Sequence, residues 1–286
     1  MKNSTTSIIT SDLNQNGGSA TATITVIAPP SITKHFGAPT IPLGGSTSLS
    51  FTITNPNVIA LTGVAFTDNL PTGLVVATPS SLTSTCGGTA TTTAGSSTIN
   101  LVGGTVAIND SCVFSVNVAG TTAGTKNNTS SNVTSANAGT GNTASDTLIV
   151  LAPPTITKAF ADSQVELFFG FTALTFTVSN PNPASLTGVG SVDHLPDGLI
   201  VLAPDNGLTG SCFGGTITAL PASSNISLAG ATLPQNGSCT FSVLVSGAQI
   251  GVWTNTTDPV TSTNGGTGLA AVAMIAVVPT EFLWFF

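Results

Sequence analysis

The chain has no arginine and no tyrosine, and charged residues make up only 5% of its 286 positions. Its four lysines are outnumbered by eleven carboxylates, which gives a formal net charge of −7 at pH 7. So few cations cannot form the basic patch that replaces counterions on phosphate, and the composition therefore excludes nucleic acid as a partner. Anionic membrane surfaces are disfavoured for the same reason.

Long hydrophobic runs are also missing. The most apolar segment, GLAAVAMIAVVPTEFLWFF at 268–286, is interrupted by Pro279 and Glu281 and is barely long enough to span a bilayer. We interpret it as a final strand followed by an apolar tail, and we expect no membrane insertion.

The abundant residues are those of β-strands and tight turns. Thr, Ser, Gly and Asn fill the polar positions and Val, Ile, Leu and Phe the apolar ones, whereas the Glu and Lys that helices favour are scarce. Short runs that alternate apolar and polar residues are separated by Gly, Pro and Asn. This pattern predicts an all-β protein of the sandwich type.

The second half of the chain repeats the first at an offset near 125 residues. Three pairs of segments define the repeat: SFTITNPN (50–57) with TFTVSNPN (175–182), LTGVAFTDNLPTGLVV (61–76) with LTGVGSVDHLPDGLIV (186–201), and SCVFSV (111–116) with SCTFSV (238–243). We therefore predict two tandem domains, at 28–151 and 152–286, the second of which ends in the apolar tail.

Each copy is predicted to end in a hairpin with a glycine-containing loop, TSANAGTGN in the first and TSTNGGTG in the second. A third copy of this hairpin opens the chain, because residues 2–30 align with residues 126–154. Residues 1–27 are thus predicted to be an orphan hairpin of a preceding repeat. An isolated hairpin is marginal in water, so it is either a remnant of a longer array or a strand donor to another molecule.

The segments APPSITKHF, FTITNPN, LTGVAFTDNLPTGL and SCVFSV together resemble the immunoglobulin-like conserved repeats of unknown function in large bacterial secreted and surface proteins. The resemblance covers nearly all of both copies. It implies β-sandwiches strung in tandem outside the cell and implies no enzyme activity. The second copy departs from the pattern where GAPTIPLGGSTSL has become ADSQVELFFGFTAL, which weakens the turn signal before its second strand.

The cysteines lie two in each copy, at nearly equal spacing and in matching contexts: Cys86, Cys112, Cys212 and Cys239. The even number and the match predict one disulfide inside each domain, with four buried free thiols as the alternative. Disulfides imply an oxidising compartment. A metal site is not expected, because His35 and His194 occupy unmatched positions and no CxxC pair is present.

Each copy carries a lysine where its first strand should face the core. A period of two places Lys34 of SITKHF and Lys158 of TITKAF on the apolar face of their strands. A buried ammonium must be paired or lose its charge. Asp68 and Asp193 are the acids that align between the copies, and they are the predicted partners.

Three interpretations of these lysines stay open: a buried ion pair that fixes strand register, an isopeptide bond, and a solvent-exposed lysine. The second adds Asn128 and Asn255, which align in the last hairpins. A Lys, an Asp and an Asn placed in this way resemble the self-forming isopeptide bonds of bacterial surface domains. That chemistry needs an unprotonated amine and a protonated carboxyl, and burial favours both neutral forms. Asparagines of the two NPN turns also align, and there Asn caps its own backbone.

Our leading interpretation is a non-catalytic extracellular structural protein of a bacterium, secreted or on the cell surface, that builds a stalk or filament by head-to-tail self-association. The alternative is an adhesin or another carbohydrate- or protein-binding module. An enzyme is not expected, because the sequence holds no Ser/His/Asp grouping, no GxSxG and no phosphate loop before a helix. No cofactor is expected.

Overall fold

The structure, a computed structural model, describes residues 2–7 and 18–280. Within these residues it consists of strands, turns and irregular segments, which confirms the all-β prediction. Two strands form the N-terminal hairpin: β1 (Lys2–Thr5) and β2 (Thr21–Ile24).

Repeat 1 contains thirteen strands: β3 (Ser31–Phe36), β4 (Thr40–Pro42), β5 (Ser46–Thr54), β6 (Leu61–Asn69), β7 (Leu74–Val76), β8 (Thr83–Ser84), β9 (Thr89–Thr92), β10 (Thr98–Val106), β11 (Ser111–Gly120), β12 (Gly124–Thr129), β13 (Thr134–Ser135), β14 (Gly139–Thr140) and β15 (Ser145–Leu151).

Repeat 2 contains thirteen matching strands: β16 (Thr155–Phe160), β17 (Gln164–Glu166), β18 (Phe171–Ser179), β19 (Leu186–His194), β20 (Leu199–Val201), β21 (Thr209–Ser211), β22 (Thr216–Ala219), β23 (Asn225–Leu233), β24 (Ser238–Gly247), β25 (Gly251–Thr257), β26 (Thr261–Ser262), β27 (Gly266–Thr267) and β28 (Val272–Val278).

Each repeat is a sandwich of two sheets, which we call the front and the back sheet. The front sheet of repeat 1 has the order β3-β5-β11-β7, with β8 also paired to β11. The back sheet contains β4-β15-β12 and β6-β10-β9, which meet at an antiparallel bridge between Asp68 and Ser130. In repeat 2 the corresponding back sheet is continuous, in the order β17-β28-β25-β19-β23-β22.

Period-two alternation accounts for how the two sheets meet. In β5 the inward residues Leu49, Phe51 and Ile53 are fully buried while their neighbours are partly exposed. Strand β11 alternates in the same way and pairs with β5, so that Phe114 lies directly opposite Phe51. Side chains of successive residues point to opposite faces of a sheet, so each of these strands presents one apolar face to the core.

The two repeats are joined without a separate linker. Strand β15 is the last strand of repeat 1 in chain order, and its residue Val150 lies in the core of that repeat. The next residue, Leu151, is fully buried in the core of repeat 2. Ile27 holds the equivalent position after the N-terminal hairpin and packs partly against the core of repeat 1.

The N-terminal hairpin pairs β1 with β2 in an antiparallel ladder, and among the described residues neither strand pairs with any other. All residues of both strands are exposed. The part of the chain that the structure describes contains no helix long and apolar enough to cross a membrane.

Candidate functional site

Both aligned lysines point into the sandwich cores. In β3 alternate residues are buried, and the side chain of Lys34 is fully enclosed between the sheets. Strand β16 repeats this pattern and encloses the side chain of Lys158. Because β3 and β16 lie in the front sheets, each lysine reaches across the core to the back sheet.

The back sheet supplies two partners from neighbouring strands. Lys34 Nζ donates to Asp68 Oδ1 on β6 at 2.8 Å, and Asn128 Nδ2 on β12 donates to Asp68 Oδ2 at 2.7 Å. One carboxylate therefore holds the amine with one oxygen and the amide with the other. Asp68 and Asn128 are as buried as the lysine.

Repeat 2 builds the same arrangement from β16, β19 and β25. Lys158 Nζ lies 2.6 Å from Asp193 Oδ1, and Asn255 Nδ2 lies 2.8 Å from Asp193 Oδ2. The structure thus brings together all six residues that the sequence singled out, as two triads of Lys, Asp and Asn.

The surroundings of the lysines disfavour charge. Burial lowers the pKa of Lys34 from its ordinary value, against the hydrogen bond and charge of Asp68 and the charge of Asp146. Burial lowers the pKa of Lys158 in the same way, against the hydrogen bond and charge of Asp193. Lys34 Nζ also lies 5.4 Å from the centre of the Phe51 ring, so an apolar side chain borders the amine.

The amide oxygens of the two asparagines have no partner. Within residues 2–7 and 18–280, Asn128 Oδ1 and Asn255 Oδ1 are the buried side-chain polar atoms without a hydrogen bond. Such an atom costs about 1 to 3 kcal/mol of stability. A half-turn of the Asn128 amide would exchange the positions of Nδ2 and Oδ1 and bring Oδ1 to Asp68 Oδ2.

Both disulfides stay within their own repeats. Cys86 is joined to Cys112 with a Cα–Cα distance of 4.9 Å, and Cys212 to Cys239 with one of 5.0 Å. Each bond ties the segment after a short front-sheet strand to the long central strand, β11 or β24.

Sequence reasoning missed what the second asparagine of each NPN turn does. Asn55 caps the turn, accepting from the backbone N–H of Asn57, as expected for this residue type. Asn57 instead binds Ala28, accepting from its N–H at 2.8 Å and donating to its carbonyl at 2.9 Å. Asn182 holds Ala152 in the same way. The pairing of NPN with an upstream APP in both copies was the available signal.

A third buried lysine was also missed. Lys126 on β12 is buried, and its Nζ donates to Thr122 Oγ1 at 2.8 Å and to two backbone carbonyls, of Thr72 and Ala123. Trp253 occupies this position in repeat 2 and lies against Gly198. The mismatch between lysine and tryptophan hid the site from a comparison of the two copies.

The model of a family described as a domain of unknown function (DUF7933) matches residues 30–150 and again residues 154–277. The chain belongs to this family, with two copies of its domain. A search of curated proteins found no match.

Among solved structures, the chain is similar to the C-terminal domain of the Streptococcus agalactiae AgI/II polypeptide BspA. The identity is 12%, the match covers 85% of this chain and 99% of that one, and the TM-score is 0.50. The C-terminal domain of the Streptococcus pyogenes antigen I/II-family protein AspA matches at 10% identity, over 87% and 99% of the two chains, with a TM-score of 0.50. At these identities the likeness shows the fold, and it confirms the predicted tandem immunoglobulin-like arrangement.

Proposed function

We propose that the chain is a non-catalytic structural unit of a bacterial extracellular stalk or filament, and that each repeat closes itself with a covalent Lys–Asn bond. The observation that carries the proposal is the pair of enclosed triads, in which one carboxylate holds an amine and an amide from opposite sheets. The two internal disulfides support an oxidising, extracellular setting.

The bond forms without any external reagent. A proton passes from the Lys34 ammonium to Asp68, which leaves a neutral amine beside a carboxylic acid. Once the Asn128 amide has turned so that Oδ1 faces Asp68, the amine attacks Cγ of Asn128 and the protonated carboxyl donates a hydrogen bond to Oδ1. The Nζ–Cγ bond forms, the Cγ–Nδ2 bond breaks, and the displaced amine proton leaves with Nδ2 as ammonia.

The product joins the first strand of a repeat to its last hairpin, across the two sheets. Lys34 and Asn128 enclose most of repeat 1 between them, and by the chain-entropy estimate a closed loop of about 100 residues contributes roughly 4 to 5 kcal/mol. A stapled sandwich resists pulling at its ends, since force applied through β3 and β15 cannot separate the sheets. This property suits a spacer or stalk.

Intact mass of the reduced full chain tests the bond. We expect the chain to be lighter than its sequence by two molecules of ammonia, about 17 Da each. Asn128→Ala should remove one loss and Asn255→Ala the other. Asn127→Ala is the matched control, because Asn127 is the neighbouring residue on β12 and is exposed. A wild-type mass equal to that of the sequence would reduce both triads to ion pairs.

The second element of the proposal is head-to-tail strand addition through the N-terminal hairpin. Ile24 and Val26 are 65% and 68% exposed, and the edges of β1 and β2 are open among the described residues. Uncovered apolar faces and open edges favour addition to another sheet. A contact of this heterologous kind links units into a line rather than a closed pair.

Light scattering over a concentration series tests the assembly. We expect the full chain to form growing oligomers and the chain without residues 1–27 to remain monomeric. Ile24→Ser with Val26→Ser should act like the deletion, whereas Val102→Ser with Val113→Ser, two exposed valines of repeat 1, should not. A full chain that stays monomeric at high concentration contradicts self-assembly.

An adhesin or other binding module is the second candidate, and one surface favours it. Phe168 and Phe169 in the turn after β17, and Phe171 at the start of β18, are 72%, 70% and 56% exposed. Clustered exposed aromatics are typical of binding surfaces. Replacing all three with Ser should abolish binding to a glycan or matrix-protein array while leaving assembly unchanged, if this candidate holds.

A further inference from the structure

We infer that β1, together with β2 and residues 25–27, forms a closing hairpin for a repeat body of the same kind as residues 28–122, and that this hairpin binds the body without the covalent bond. The inference deepens the proposed strand addition by naming its acceptor. By an open body we mean such a repeat without its last hairpin, the part equivalent to β12 to β15.

The N-terminal hairpin has the register of a closing hairpin. Lys2 pairs with Ile24 and Thr5 with Thr21, as Lys126 pairs with Leu148 and Thr129 with Ser145 in repeat 1: the offset is 124 for every residue. Register fixes which side chains share a face, so the two hairpins present equivalent positions to whatever covers them.

The apolar residues of the two hairpins differ in being covered. Leu148 and Val150 are fully buried in repeat 1, whereas their equivalents Ile24 and Val26 are largely exposed. The N-terminal hairpin thus has the apolar side chains of a closing hairpin, but no second sheet covers them among the described residues. Neither described repeat of the same chain is open, because both already hold their own hairpins, so the N-terminal hairpin adds to a body of another molecule whose own last hairpin is displaced.

The position at which β2 ends also indicates that a neighbouring parallel strand is absent. Strand β15 continues to Leu151 because residues 149–151 pair in parallel with residues 40–42 of β4. The equivalent strand β2 stops at Ile24, immediately before residues 25–27, for which no such partner is present among the described residues. An acceptor with a strand equivalent to β4 would extend β2 by these residues.

Lys2 indicates which type of repeat accepts the hairpin, and Ser4 excludes a covalent bond to it. Lys2 aligns with Lys126, whose amine is held by Thr122 and two backbone carbonyls, so the hairpin suits a body of the repeat 1 type rather than one shaped for Trp253. Ser4 aligns with Asn128. Serine has no amide carbon for the lysine to attack, so closure by this hairpin leaves the Lys–Asp pair without a crosslink.

A hairpin swap in the full chain tests the inference. Residues 126–151 are replaced by the sequence of residues 2–27, which is the same length, and hydrogen exchange is measured on β4 and β6. We expect protection within about tenfold of that in Asn128→Ser, the matched control that lacks the crosslink but keeps the native hairpin. A second control carries the sequence of residues 253–278 in the same place.

Loss of protection by a thousandfold or more in the swap, with either control still protected, overturns the inference. A swap that keeps Asn128 adds a mass readout, and we expect it to lose as much ammonia as the wild type. If the wild type loses none, the proposed crosslink fails while the exchange result still decides the role of the hairpin.

Discussion

The two repeats hold the same triad in different surroundings. In repeat 1, Phe51, Phe66 and Phe114 form an aromatic cluster with ring centres 4.8 to 5.9 Å apart, next to Lys34. In repeat 2 the residue equivalent to Phe66 is Ser191, which leaves two stacked rings and a void of about 10 Å³ beside Asp193. The hydrogen bonds of the triads nevertheless agree to within 0.2 Å, from 2.8 and 2.7 Å to 2.6 and 2.8 Å. Strand register, rather than the packing around the site, therefore positions these groups.

The turns that follow the parallel strands β4 and β17 also differ between the repeats. After the parallel strand β4 the chain turns at Gly44, with φ of +80°. After β17 the equivalent residue is Phe168, with φ of +66°, and its N–H donates to Gly247 as that of Gly44 donates to Gly120. A bulky residue in the left-handed region is strained, so repeat 2 keeps an exposed aromatic at a cost in stability.

Removing the shared carboxylate should have the largest effect. Asp68→Ala leaves a buried amine without its partner and removes the carboxyl that the proposed crosslink needs, so we expect repeat 1 to lose about 3 to 5 kcal/mol. Asp193→Ala should do the same to repeat 2 alone. Hydrogen exchange resolved by peptide reports on each repeat separately, and equal destabilisation of both would show that the two repeats unfold as one unit.

Removing one ring from the aromatic cluster of repeat 1 tests whether packing positions the triad. Phe66→Ser copies the repeat 2 residue into repeat 1 and removes a buried ring, which should cost roughly 4 kcal/mol. The ammonia loss of repeat 1 should persist, because the strands that carry the triad remain in register. Denaturant unfolding and intact mass measure the two effects, with Val102→Ser as the exposed control. Loss of the crosslink here would show that packing does control the site.

The disulfides should not distinguish the repeats. Their loops are closely matched, at separations of 26 and 27 residues, so Cys112→Ser and Cys239→Ser should each destabilise their own repeat by roughly 3 to 4 kcal/mol. Thermal unfolding of the two variants measures this. A difference of more than about 1 kcal/mol between them would point to an unequal contribution from the surrounding core.

Exchanging the turn residues should have the smallest effect. Phe168→Gly relieves the left-handed strain and should stabilise repeat 2 by about 1 kcal/mol, whereas Gly44→Ala should destabilise repeat 1 by a similar amount. Gly44 has no atom within 4 Å of where a Cβ would lie, so backbone strain alone decides the second result. Urea midpoints would report both, and destabilisation by Phe168→Gly would mean that the ring packs in solution.

Individual residues show which features of the structure could be predicted from the sequence. Alternation in β5 and β11, the matched cysteines and the internal repeat were enough to predict the sandwiches, because a period of two fixes which side chains face the core. The same rule placed Lys34 and Lys158 inward and pointed to Asp68 and Asp193. Lys126 escaped because Trp253 holds its position in the other copy, and the contact of Asn57 with Ala28 escaped because it joins residues 29 positions apart in the chain.

The sequence by itself determined the class of fold, the duplication, the cysteine pairs and the orphan hairpin, because all of these follow from local periodicity or from similarity within the chain. Only the tertiary structure decided that Asn128, and not an asparagine of the NPN turn, shares the carboxylate of Asp68. The choice depends on which back-sheet strand lies beside β6, and that neighbour is set by the packing of the last hairpin.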